Sequence, residues 1–84
     1  MSTFEKLLQA IRRNPRGVRF DDLCRLVERL GFQLRARGGT SHRIYSRIGV
    51  TEVINLQQGS SGTAKPYQVR QILALVEKYK LEVK

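Results

Sequence analysis

The sequence predicts an α+β domain in which helices pack on a three-stranded antiparallel sheet, in the order ααβββα. Three observations carry this. Apolar residues recur at helical spacing in three separate segments, Phe4 to Ile11, Leu23 to Leu30 and Val69 to Val76. Between the second and third of these the period drops to two and the chain is broken by Gly38-Gly39 and Gly49. All of this lies within 84 residues, a length that suits one domain with a single modest core.

The first helix is expected to start at Ser2, because Ser2 and Glu5 have capping-box spacing, and to stop at Asn14-Pro15, where the ring of proline forbids continuation. Asn14 to Gly17 reads as a turn. Asp21 or Asp22 is the expected cap of the second helix, with Phe20 as a staple ahead of it and Gly31 as a left-handed stop behind Leu23, Leu26, Val27 and Leu30. Phe32, Leu34 and Ala36 then alternate with Gln33, Arg35 and Arg37, the pattern of a half-buried strand whose arginines share the open face. Ser41 to Tyr45 and Val50 to Leu56 form the second and third strands. Residues 57–65 are polar and rich in Gly and Ser, a loop of the kind that carries function. Pro66 opens the last helix, Tyr79 extends its apolar face, and residues 80–84 form a basic tail expected to fray.

Composition narrows the function. Sixteen Lys and Arg against seven Asp and Glu give a formal charge of +9, which favours a polyanionic partner such as nucleic acid or an anionic membrane surface. No run approaches the roughly 18 apolar residues of a spanning helix, and the N-terminus lacks the apolar stretch of a secretion signal, so a cytoplasmic protein is expected. Cys24 is the only cysteine; an intramolecular disulfide and a cysteine-based zinc cage are both impossible, and its place in an apolar stripe marks it as a core residue. Clustered ligands for a catalytic metal are lacking, and no cofactor is expected.

Between Glu28 and Glu52 the chain carries Arg29, Arg35, Arg37, Arg43 and Arg47 and no acid. His42, the only histidine, lies in this stretch. An imidazole titrates near pH 6.5 and can therefore take or give a proton near neutrality, as cleavage of RNA by its own 2′-hydroxyl requires. Neighbouring guanidinium groups would neutralise charge developing on the phosphorus. Ser41 and Tyr45 flank His42 as possible supporting groups, although adjacency puts Ser41 and His42 on opposite faces and rules out a serine triad between them. Lys65 precedes the last helix, where free amides and the dipole favour a phosphate.

The run Arg37-Gly38-Gly39-Thr40-Ser41-His42-Arg43-Ile44-Tyr45 resembles the Gly-Ser-His-x-aliphatic-aromatic strand of the HicA-type, or YcfA-like, toxins. Three further segments are similar in the same order: Phe20 to Leu23 with its Leu30-Gly31-Phe32 exit, Glu52 to Gln57, and Ala64 to Gln71. The resemblance covers about residues 20 to 76, within a single HicA-like domain over 1–84 whose residues 1–14 form the extra N-terminal helix of a subgroup. It implies a double-stranded-RNA-binding-like fold, an endoribonuclease that cleaves mRNA without a metal, and neutralisation by a HicB-type antitoxin. His42 falls on the family's catalytic position. Thr40 stands where Gly usually precedes Ser-His, and Arg43 where a second His is frequent, so His42 would act alone or with Tyr45, Arg43 or a water. Arg35, Arg37, Arg43 and Lys65 would hold RNA phosphates. The competing readings are a non-catalytic RNA-binding module and an inactive interaction domain of the same fold.

Overall fold

The computed structural model describes residues 2–39 and 42–84. The observed order is α1 (Thr3–Arg13), α2 (Phe20–Arg29), β1 (Gln33–Gly38), β2 (His42–Arg47), β3 (Val50–Gln57), a short 3-10 turn (Ser60–Gly62) and α3 (Pro66–Tyr79). This is the predicted α+β arrangement, and the strands form one antiparallel sheet in the order β1-β2-β3.

The helix ends follow from local chemistry. Ser2 and Glu5 form a reciprocal capping box, which satisfies two amides that no helical carbonyl can reach. α2 differs from expectation: it begins at Phe20 on an Arg19 cap that makes no side-chain bond, and Asp21 and Asp22 occupy the first turn. There they act through the dipole. Its far end is a Schellman stop, with the Gly31 amide on the Glu28 carbonyl (3.0 Å) and the Phe32 amide on Val27 (3.3 Å). Gly31 has φ +96, a conformation that side chains rarely adopt.

One core joins the three helices to one face of the sheet, with Leu23, Leu26, Val27 and Leu30 of α2, Tyr45, Ile54 and Leu56 of the sheet, and Val69, Ile72 and Val76 of α3 among its buried members. Cys24 belongs to it, and burial pushes its thiol pKa up, which keeps it inert. The residues expected to fray instead fold back. Leu81 is buried, its amide bonds to Val76, and the Lys84 amide bonds to the Arg29 carbonyl at 2.8 Å.

β1 is the largest departure. A half-buried strand was expected, yet all six of its residues are exposed. The register slips between Leu34 and Ala36, so that two residues of β1 are spent opposite one of β2. Such a bulge breaks the strict alternation of faces. Arg37 lies directly across from Arg43 and shares its face, whereas Arg35 bonds Ser46 on the other. The two arginines therefore do not line one surface.

α3 is tied to the free edge of β3 by Gln68, which is buried. Its amide oxygen accepts from the Gln57 amide (3.2 Å) and its amide nitrogen donates to the Asn55 carbonyl (3.3 Å), standing in for a fourth strand. Further along, Glu52 accepts from both Lys78 and Tyr79, and these two bonds hold its carboxyl down at about 2. The loop before α3 is anchored as well, by bridges from Arg19 to Thr63 and from Gln58 to Ala64.

Candidate nucleic-acid interface and active site

Strand parity decides the surroundings of His42. Tyr45 is fully buried against the helices, so His42, three residues earlier, points to the opposite, open face. There its Nε2 meets Oδ1 of Asn55, which projects from β3 on the same face. With the amide oxygen as acceptor, the neutral ring carries its proton on Nε2 and presents Nδ1 as the lone-pair nitrogen. Nδ1 faces Gly38, the cross-strand partner of His42, where an added Cβ would stand in ordinary van der Waals contact at 3.5 Å.

His42, Asn55 and Gln57 form one wall of a shallow cleft of about 320 Å³, and Tyr67, Gln68 and Gln71 of α3 form the other. Gln68 sets this geometry, because its bonds to the edge of β3 draw the first turn of α3 alongside the strand. Sequence reasoning missed this wall. A signal was present: Gln68 sits four residues before Ile72 on the apolar stripe of α3, where a polar side chain needs partners. Asn55 was also legible as a polar residue alternating with Ile54 and Leu56.

The other expected site residues are dispersed. Tyr45 is turned away from the imidazole and donates its hydroxyl to Glu28 at 2.8 Å. Burial, reinforced by that bond, pushes its phenol well above the ordinary value. Arg43 lies on the helix side, its guanidinium 5.6 Å from the centroid of the Phe20 ring. Arg37 pairs across from it and is exposed. Arg35 lies on the open face with His42, its Nε bonded to Ser46 at 2.7 Å. Lys65 caps α3 with no side-chain cap bond, and its stem packs beside Gly59. Ser41 and Thr40 lie outside the described residues. Among the described residues no group of three His, Cys, Asp or Glu side chains gathers as metal ligands, and no helix is long and apolar enough to cross a membrane.

Fold and site together define a small, strongly basic α+β domain with one histidine set on the open face of its sheet. The family is given by the match of residues 20–77 to the model described as HicA toxin of bacterial toxin-antitoxin: the chain belongs to the HicA toxin family. No curated protein and no solved structure matches the chain.

Proposed function

We propose that this toxin is an endoribonuclease that cleaves mRNA, with His42 as its general acid or base. The observation that carries the reading is the His42 ring itself, held at Nε2 by Asn55 with Nδ1 turned towards Gly38 on the exposed sheet face. Nδ1 takes the proton of a ribose 2′-hydroxyl; the 2′-oxygen then bonds to phosphorus, and the bond from phosphorus to the 5′-oxygen breaks. The departing 5′-oxygen receives a proton from water or from the ring once it is charged. The products are a 2′,3′-cyclic phosphate and a 5′-hydroxyl. No metal is required by this scheme. Asn55 positions the ring, since a ring bonded at one nitrogen cannot swing its other nitrogen out of reach.

Arg35 on the open face and Lys65 at the start of α3 hold RNA phosphates, and Arg37 and Arg43 form a second cationic pair on the opposite face. The element order and the helices gathered on one side of the sheet support the double-stranded-RNA-binding-like reading. A HicB-type antitoxin is the partner that restrains the activity, and both act in the cytoplasm. The test is an RNA with a single 2′-deoxy nucleotide at the cut position, offered to purified protein in chelator. The unmodified RNA is expected to be cut and to leave a cyclic phosphate, and the modified one to survive. Cleavage of both would sink the transesterification. Binding without cleavage of either would favour a non-catalytic RNA-binding module.

Lys65→Glu is expected to weaken RNA binding at low salt far more than at high salt, because phosphate contacts act largely through counterion release. The slope of log affinity against log salt should flatten by about 0.7 for one lost contact to a single strand. The fold should not suffer, since an acidic side chain at a helix start suits the dipole. Titration of labelled RNA measures the slope; an unchanged value removes Lys65 from the phosphate site.

A further inference from the structure

At the far end of β2 from His42 lies a second cleft, of about 260 Å³, lined by Gly31, Gln33, Arg35, Ser46, Arg47 and Lys84 and by the exposed Ile48 of the hairpin tip. We propose that this cleft is a second RNA-backbone site, in which Arg35 and Arg47 together clamp one phosphodiester group of a single-stranded RNA whose scissile bond lies at His42. The inference rests on the ribonucleolytic reading for the identity of its ligand.

The two guanidinium groups reach the cleft from different directions, and each is held by its own bond. Arg35 donates its Nε to Ser46 at 2.7 Å, and among the described residues its terminal nitrogens make no hydrogen bond, so they can meet an anion. Arg47 donates one terminal nitrogen to the Leu30 carbonyl at 2.6 Å, where α2 ends. It lies so close over Gly31 that a Cβ there would meet its guanidinium at 3.2 Å. The glycine required by the Schellman stop thus also admits the arginine. No Asp or Glu side chain is among the residues that line the cleft, so the side chains of Arg35 and Arg47 bring two cations to one space with Lys84 beside them. Bringing like charges together costs free energy that an entering anion recovers. Because both side chains are already tethered, little of their freedom is lost on binding.

The placement also fits a strand of RNA. Ser46 and His42 lie on the same face of β2, four residues and about 13 Å apart. A phosphate clamped at the cleft and a scissile phosphate at His42 therefore belong to different nucleotides of one chain, which crosses the open face over Ile44. A substrate long enough to reach both sites is held at two points and fixed in direction.

The experiment follows the arginine Nε signals and the amides of His42 and Asn55 by nuclear magnetic resonance while wild-type protein is titrated with a 2′-O-methyl oligouridine, which it cannot cut. Arg35 and Arg47 are expected to shift saturably, together with His42 and Asn55. Arg35→Ala, at an exposed position off the core, should weaken this binding and lower the salt slope by about 0.7. If only His42 and Asn55 respond, or if Arg35→Ala leaves the slope unchanged, the second site is wrong and the ribonuclease reading stands. If the cleft responds while wild type fails to cut unmethylated RNA, the ribonuclease reading falls and the anion site stands. If no signal moves, the second site is overturned.

Discussion

Replacement of His42 by Ala is expected to abolish growth arrest on expression and to lower the rate of RNA cleavage by a factor on the order of 10²–10⁴, the usual cost of losing a positioned proton-transfer group. The fold should survive. His42 belongs to the open face and makes no part of the core, and its polar partner Asn55 is exposed, so removal of the ring leaves an amide that water can satisfy. RNA affinity should survive too, because the cations of the surface remain in place. Binding and cleavage thus separate in one variant. The checks are a melting curve, a binding titration and a cleavage assay on the same preparation. A folded variant that cuts at the wild-type rate ends the catalytic assignment, and one that melts far earlier makes His42 a structural residue.

Tyr45→Ala is expected to cost about 3–5 kcal/mol, a large share of the roughly 5–15 kcal/mol that holds a domain together. Tyr45 is fully buried in the core, and truncation leaves a ring-sized void. Tyr45→Phe keeps the ring and loses only the bond to Glu28, so about 1–2 kcal/mol is expected. Cleavage by this second variant should equal that of wild type at temperatures where both are folded, because the hydroxyl faces away from His42. A fall in rate without a fall in stability would restore Tyr45 to the chemistry. The phenol also makes an alkaline prediction. Its pKa is raised in the folded state by burial and then by Glu28, so its contribution is complete below the unfolded value of about 10. As pH rises above that value the unfolded chain loses a proton that the folded chain retains, and stability declines until the folded group ionises. Denaturant unfolding above pH 10 should show a shallower decline for Tyr45→Phe than for wild type; parallel curves would remove the phenol as a source of that decline.

The two predictions differ because parity sends the two side chains to opposite faces. That much is legible in the sequence, since His42 and Tyr45 are three residues apart on one strand. Which face is covered is not, because a strand pattern of His, Ile and Ser against Arg, Tyr and Arg has no plainly apolar side. The decision comes from the helices. Tyr45 finds Glu28 of α2, Arg43 finds the Phe20 ring, and Arg47 finds the end of α2 at Leu30. Each polar group on the buried side has a partner contributed by an element distant in sequence.

By itself the sequence determined the element order, the capping box at Ser2, the Gly31 stop, the core stripes of the helices, the positive charge and the choice of His42 as the group to examine. These are local matters, set by spacing within a turn or a strand and by side-chain chemistry. The tertiary structure alone decided that the bulge at Arg35 separates it from Arg37, that Gln68 closes the edge of β3 and builds the wall opposite His42, and that residues 80–84 fold back to the end of α2. These depend on register and on contacts between distant segments. A slip of one residue exchanges the faces of a strand, and no local pattern in a wholly exposed strand such as β1 opposes that slip.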